Sequence, residues 1–460
     1  MELRRAAEDV LRLNDRGGWT RPSPALYPHQ WSWDAAFIAI GWAHLDVDRA
    51  VAELEHLFEA QWDTGMVPHI VFDPTVPQGS YEPAPQRWGS EAHSPTGVLT
   101  SSICQPPVHA MALQRIVEIA GREHPAIRRV LPELLDALRR WHRWLRTARD
   151  PDGTALVTIL HPWESGMDNS PRWDEPLSAL PEPPVQRPHD AFPCGVAPST
   201  VQNHRGKQEP VAGRPDLGHV ADPSERPTDL DYARYMALVE SLASLDHDQA
   251  TAMKRHPFRV RDVWFSAILA AADESLAALF ADSSTTGAEA EAKSFRADAA
   301  RTREALARSI DGASERCLDF DLSAHHPITS DTVAAFAPLL AGTESVLTDR
   351  LVDRLWSPHS AGNPALVHPL PPSTAVDDPS FDARRYWRGP QWPPITWLLW
   401  NGLVSVGRSI DAEGLRRSAV DQLLTVGCCE YVDPLTGDPL GSESQSWTAA
   451  VALDWLCAAR

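Results

Sequence analysis

Two carboxylates in this 460-residue sequence stand where acid–base chemistry is possible. Asp168 lies in HPWESGMDNSP, with Trp163 and Trp173 close by and Gly166 two residues before it. Indoles and a glycine-bearing turn desolvate a carboxyl group and raise its pKa. A carboxyl that is protonated near neutral pH can act as a general acid. Glu164 is its rival in the same loop, and one of the two could simply brace the other. A cap or loop hydrogen bond is the plainer role for Asp168. Glu430 lies in CCEYVDPLTGDP, after an apolar helical run and before a turn rich in Asp, Pro, Thr and Gly. It is either an exposed loop residue or a member of the site, and Glu443 in GSESQSW is a second candidate at that rim. Asp34 follows Trp31 and Trp33 at an N-cap-like position, where it could cap the next helix, hold hydroxyl groups, or both. Arg226 in SERPTD gains weight if the ligand is an anion, because a guanidinium grips a carboxylate with two parallel hydrogen bonds.

Other chemistries find little support. His161, His325 and His326 lack any H-E-x-x-H or paired spacing, so no metal is expected. Gly17-Gly18 does not follow a strand as a phosphate loop would, and Ser165-Gly166 is not in a G-x-S-x-G elbow. The six cysteines form no C-x-x-C pair and suit free thiols in a reducing cytoplasm. The N-terminal MELRRAAEDV has no apolar signal-peptide core, which fits the same location. A formal net charge of −20 makes nucleic acid and anionic membranes poor partners. No run of about 18 apolar residues is present to span a bilayer.

The sequence holds 18 Trp against 6 Tyr, and the tryptophans cluster with polar residues where helices begin: HQWSWDAAFIAIGW, YWRGPQWPPITWLLW and SQSWTAAVALDWL. A ring-stacking, hydroxyl-fixing pocket needs that mixture, whereas a plain core does not. Apolar residues at three- and four-residue spacing predict helices over 34–60 (two runs), 106–122, 129–148, 230–245, 260–283, 285–309, 331–341, 345–355, 391–407, 412–426 and 445–459. Strand alternation is absent. Helix starts that share one chemistry should converge, as they do in a closed ring of helical hairpins. The expectation is an all-α chain, a single domain over 1–460, folded as an (α/α)6 toroid with its site at the mouth. The Pro-rich, aperiodic stretch 170–227 is expected to form a lid or an insertion with an ordered end.

HQWSWDAAF, ICQPP, HPWESGMDNSP, ERPTD, YWRGPQW, EYVDPLTGDP and QSWTAA, in this order, resemble the mannosylglycerate and glucosylglycerate hydrolases of glycoside hydrolase family 63. The resemblance runs from about Tyr27 to Trp455. It implies an (α/α)6 barrel and an inverting hydrolase without metal or cofactor, with Asp168 as general acid and Glu430 as general base. It places Trp31, Ser32, Trp33, Asp34, Gly166, Trp387, Trp392 and Gln445 around the sugar. Tyr27, Tyr81, Gln105, Arg226 and Tyr386 fall at the glycerate and the rim, and Trp163 lines the pocket. The substrate it implies is 2-O-(α-D-glucopyranosyl)-D-glycerate, with a mannosylglycerate or a neutral α-glucoside as alternatives. A non-catalytic sugar-binding toroid and a sugar epimerase are weaker candidates. A homo-oligomer is compatible with the sequence. The stretch from about Pro176 to Asp216 is longer than the family pattern leads one to expect.

Overall fold

The computed structural model describes residues 2–181, 214–283 and 287–458. Fifteen helices run along the described residues: α1 (Glu2–Asn14), α2 (Ser32–Ala43), α3 (Val47–Glu59), α4 (His109–Ala120), α5 (Pro125–Ala148), α6 (Asp174–Ser178), α7 (Asp229–Ser244), α8 (Gln249–Arg255), α9 (Val263–Ala281), α10 (Ala288–Arg308), α11 (Ala337–Leu340), α12 (Ser345–Leu355), α13 (Pro393–Ser405), α14 (Ser409–Val426) and α15 (Ser446–Cys457). The protein is mostly helical, as expected. Helices α1, α6 and α8 fall outside the predicted segments, although α1 buries Leu3, Ala7 and Leu11 at four-residue spacing. Short ladders also depart from the all-α expectation. They are β1 (Gln30–Trp31) with β2 (Ile70–Val71), a four-stranded antiparallel sheet of β3 (Thr158–Ile159), β4 (Val260–Arg261), β5 (Phe320–Asp321) and β6 (His326–Pro327), and β7 (Tyr431–Val432) with β8 (Pro439–Leu440). Two-residue strands carry no alternation to detect.

Burial separates two kinds of helix. Every residue of α2 (SWDAAFIAIGWA) is buried, α9 and α15 are nearly so, and α13 is buried over 393–399 and again at Gly402 and Leu403. A helix that is apolar all round must be surrounded by protein. α5, with Arg and Glu along one side, buries a single stripe from Ile127 through Leu134 and Leu138 to Leu145. The buried helices touch in succession: α2 packs on α4, α4 on α9, α9 on α11, α11 on α13, α13 on α15, and α15 back on α2. The amphipathic α1, α3, α10, α12 and α14 each cover one of these from outside, and α5 lies across α3, α4 and α9. α9 is long and apolar enough to cross a membrane by length and composition alone, but Asp273 and Glu274 interrupt its apolar run, and 78% of that stretch is buried inside the protein.

Gly41 shows how tightly the inner helices meet. A Cβ there would lie 2.6 Å from the Ala450 Cα, so α2 and α15 touch backbone to backbone. Trp31, Trp392 and Gln445 flank the starts of α2, α13 and α15. The β1–β2 ladder pairs Trp31 with Ile70, fixing the entry to α2. Of the stretch expected as a lid or insertion, residues 182–213 lie outside the described residues. Its flanks fold as α6 and as single 3-10 turns at Pro171–Trp173, Pro215–Gly218 and Pro223–Glu225.

Candidate active site

One cavity gathers most of the predicted residues. Tyr27, Trp31, Trp33, Asp34, Tyr81, Gln105, Trp163, Gly166, Asp168, Arg226, Tyr386 and Gln445 all line it. Glu430 lies immediately behind Tyr27. Trp387 and Trp392 stack on each other with centroids 3.6 Å apart and planes 6° from parallel, backing the wall that Trp33 and Trp447 face. Ser32 points elsewhere: its hydroxyl meets His109 Nε2 at 3.1 Å, away from the cavity lining.

The Asp168 loop is built outward from β3. After Ile159 the chain makes a 3-10 turn at Pro162–Ser165, where His161 Nδ1 accepts the Trp163 N–H at 3.0 Å. Gly166 then takes φ +74°, and a Cβ there would sit 2.7 Å from the Trp33 indole. Only glycine satisfies both demands. Glu164 turns inward from this loop and both its oxygens are taken. Arg149 binds them at 2.7 Å each, with Leu160 N–H at 2.6 Å and Cys104 N–H at 3.2 Å. Burial pushes Glu164 up, but the Arg149 guanidinium and these donors leave it below its ordinary value. It braces the loop. Asp168 is the carboxyl that faces the cavity, and burial pushes it up to about 7, against the pull of Arg226. Trp173, expected to desolvate Asp168, instead donates its indole N–H to the Met167 carbonyl at 2.8 Å. Asn169 Oδ1 accepts the Trp387 N–H at 2.9 Å, and Arg172 anchors the loop to Asp319 at 2.6 Å and to Asp262, the cap of α9, at 2.5 Å.

Glu430 owes its position to the β7–β8 hairpin. The DPLTGD turn closes on Asp433, whose Oδ1 accepts the N–H groups of Leu435 and Thr436, with Gly437 at φ +78°. Glu430 N–H donates to the Ser442 carbonyl at 2.8 Å, and Ser442 N–H returns a bond to Glu430 Oε2 at 3.0 Å. Tyr27 Oη donates to Oε1 at 2.8 Å. Burial raises the Glu430 pKa, while Arg226, Tyr27 and the Ser442 N–H oppose the rise. Glu443, the rival, is exposed.

Asp34 does not cap α2. The capping position belongs to Trp31, and Asp34 is the third residue of the helix, in its first turn, with its carboxyl at the cavity. Burial, with Glu430 adding, holds it well above the ordinary carboxylate range. Gln445 is fully buried on the cavity wall with neither side-chain amide atom paired. Such an amide awaits a ligand that can both donate and accept, as a hydroxyl does. Arg226 lies 4.2 Å over the Tyr386 ring, donates from Nη1 to Tyr27 Oη at 3.1 Å, and has Asp216 3.6 Å from its Nε. Its charge is flanked by groups that favour it, so burial does not unseat it.

Tyr232, Tyr235, Arg214, Asp216, His69 and Trp447 also line the cavity without having been predicted. The chain has six tyrosines. Five line the cavity and the sixth, Tyr431, stacks on Trp392 at 4.5 Å. The scarcity of Tyr was itself a signal. His161 is spent on the Tyr235 carbonyl, and His326 faces Glu175. Among the described residues, no three His, Cys, Asp or Glu side chains are grouped as a metal site requires.

A family model described as a mannosylglycerate hydrolase MGH1-like glycoside hydrolase domain matches residues 27–448. The glucosylglycerate hydrolase of Mycolicibacterium hassiacum is 40% identical over 99% of this chain and 98% of its own length. The mannosylglycerate hydrolase of Thermus thermophilus is 39% identical over 98% and 99%. A crystal structure of a family 63 mannosylglycerate hydrolase from Thermus thermophilus, in complex with Tris and D-glycerate, superimposes with a TM-score of 0.83 at 36% identity, covering 99% of this chain and 100% of that one.

Proposed function

The chain belongs to the mannosylglycerate hydrolase MGH1-like glycoside hydrolase family and is a glycosidase, and from that premise we propose that it cleaves 2-O-(α-D-glucopyranosyl)-D-glycerate into glucose and D-glycerate with inversion at the anomeric carbon. The observation that carries the proposal is a division of labour between two carboxyls, Asp168 half-buried at the cavity and Glu430 fully buried, beside one guanidinium. Asp168, pushed up to about 7, holds a proton at neutral pH. Glu430 is held as an acceptor by Tyr27 and the Ser442 N–H. Asp168 then protonates the glycosidic oxygen while Glu430 takes a proton from water on the opposite face of the ring. An inverting pair stands about 6.5–9.5 Å apart to admit that water. Gln445 and Asp34 are suited to sugar hydroxyls, and the Trp-lined wall to the ring face. Arg226 and the tyrosines are suited to the glycerate carboxylate, which must be recognised locally because the net charge of −20 repels it at long range.

The closed succession of six inner helices, each covered from outside, supports a single (α/α)6 toroid with the mouth at their starts. Residues around 214–227 contribute Arg214, Asp216, Arg226 and Pro227 to the cavity, which suits a rim segment that closes over substrate.

The deciding experiment is hydrolysis of glucosylglycerate, mannosylglycerate and kojibiose side by side, with proton NMR of the fresh product. Glucosylglycerate as the best substrate and β-glucose as the first product support the proposal. α-Glucose first would mean retention and would make Glu430 a nucleophile. Mannosylglycerate is the second candidate, because the two relatives with these different substrates are 40% and 39% identical, too close to choose between them.

A further inference from the structure

Tyr27 occupies an unusual place between the anion-binding group and the base position. Its hydroxyl has three partners: Arg226 Nη1 at 3.1 Å, Tyr386 Oη at 3.0 Å and Glu430 Oε1 at 2.8 Å. A phenol has one proton and two lone pairs, and a guanidinium can only donate. Arg226 therefore fills one lone pair. Tyr386 donates into the other, and the single proton is left for Glu430. This count holds only while Glu430 Oε1 carries no proton; Oε2 is engaged separately by the Ser442 N–H. A Glu430 protonated on Oε1 would find no free lone pair on Tyr27 while Arg226 and Tyr386 both donate to it.

We propose that Tyr27 relays the filling of Arg226 by a carboxylate to Glu430, so that the anionic half of the substrate arms the base. Arg226 has donors to spare, since among the described residues only its Nη1 makes a hydrogen bond, while Nε faces Asp216 at 3.6 Å. A carboxylate that draws the guanidinium toward itself frees one lone pair of Tyr27. Tyr27 can then turn its proton toward the bound carboxylate, keep the bond it accepts from Tyr386, and accept from Glu430 Oε1 once that oxygen takes the proton from water. The same carboxylate cancels the positive charge that favours ionised Glu430. An opposite charge within about 4–6 Å lowers a carboxyl pKa by about 1–3 units, so losing it returns a shift of about 1 unit. Other charged and titratable groups face this pair. Asp34 on α2 and Tyr431 on β7 stand by Glu430, and Asp168 and Asp216 stand by Arg226.

The inference rests on the glycerate-bearing substrate proposed above, and the test separates the two. D-Glycerate is titrated calorimetrically into the full chain carrying Asp168→Asn, in two buffers of different ionisation enthalpy, which reveals protons taken up on binding. Uptake is expected, reduced at least twofold by adding Tyr27→Phe, and lost on adding Glu430→Gln. For the wild-type enzyme, the acid limb of kcat should lie about 1 pH unit above that of kcat/KM, since these report the bound and free enzyme. Tyr27→Phe should shrink that gap. Uptake that survives Glu430→Gln belongs to Asp34 or another group and overturns the relay. Uptake untouched by Tyr27→Phe overturns it as well, leaving only a through-space effect. A chain that binds no D-glycerate at all sinks the substrate assignment, and the relay falls with it.

Discussion

Asp168 and Glu164 lie four residues apart, share one loop and reach opposite fates. Nothing in the spacing separates them; the partners do. Asp168→Asn should cut kcat by about 10²–10⁴-fold, the usual contribution of a general acid. The same change should stabilise the protein in alkali. Asp168 binds its proton more tightly folded than unfolded, so its ionisation weakens the fold progressively as pH rises from about 4 through about 7. A neutral amide carries no such cost, so the variant should melt higher than wild type at pH 8, with the gap closing by about pH 4. Equal melting temperatures at both pH values would mean Asp168 is well solvated. Glu164→Gln should do the reverse. It leaves Arg149 buried with an uncompensated charge, a loss of about 3–5 kcal/mol. Denaturant unfolding should show that loss, while the folded fraction keeps turnover. The residues the sequence pointed to by chemistry, Trp31, Trp33, Asp34 and Gln445, do meet at the cavity. Ser32 does not reach it, because successive residues in the first turn of α2 aim in different directions and only packing decides which one faces inward.

At the scale of elements, the periodic helices were visible because an apolar stripe repeats over three or more turns. The ladders were not, since two residues hold no pattern and their partners are remote: Thr158 pairs with Arg261. Yet the β7–β8 hairpin fixes Glu430, and its turn chemistry, DPLTGD, was visible while the strands were not. Tyr232 and Tyr235 were missed for a related reason. They lie three apart on α7, a helix known from its period, but nothing in that period says which face meets the cavity. The hairpin also exposes a weak point for the base. A Cβ on Gly441 would lie 2.4 Å from Glu430 Oε2, at φ +70°. Gly441→Ala should therefore displace the carboxylate and lower kcat at least tenfold, with a stability loss of only about 1–3 kcal/mol for the strained backbone. Unchanged kcat with a native melting curve would show that the hairpin yields without moving Glu430.

Across the whole molecule, the site depends on inner helices that touch in closed succession, three of which start at Trp31, Trp392 and Gln445. Gly41→Ala forces α2 from Ala450 on α15. Overpacking of this kind costs about 1–3 kcal/mol. Because α2 carries Trp33 and Asp34 to the cavity, KM should rise along with the loss of stability; a lower melting temperature with unaltered KM would show that the ring absorbs the strain locally. The net charge of −20 acts at the same scale. Moderate salt should raise kcat/KM for an anionic substrate by screening the long-range repulsion, and leave a neutral glucoside unaffected. A fall with salt would place the dominant field at Arg226.

The parallel indoles of Trp387 and Trp392, 3.6 Å apart, are also a pair of coupled chromophores. Transition dipoles that close share their excitation, and where the two dipoles are skewed within their parallel planes the sharing splits one absorption band into two of opposite optical sign. The circular dichroism spectrum should therefore carry a couplet to which this closest indole pair contributes most, reduced in Trp392→Leu and left unchanged by substitution in the remote Trp141–Trp144 pair, whose centroids are 5.4 Å apart. The wall faces the cavity through Trp33, so a ligand that shifts either ring retunes the couplet. The enzyme thus brings its own optical gauge of occupancy, readable without a label.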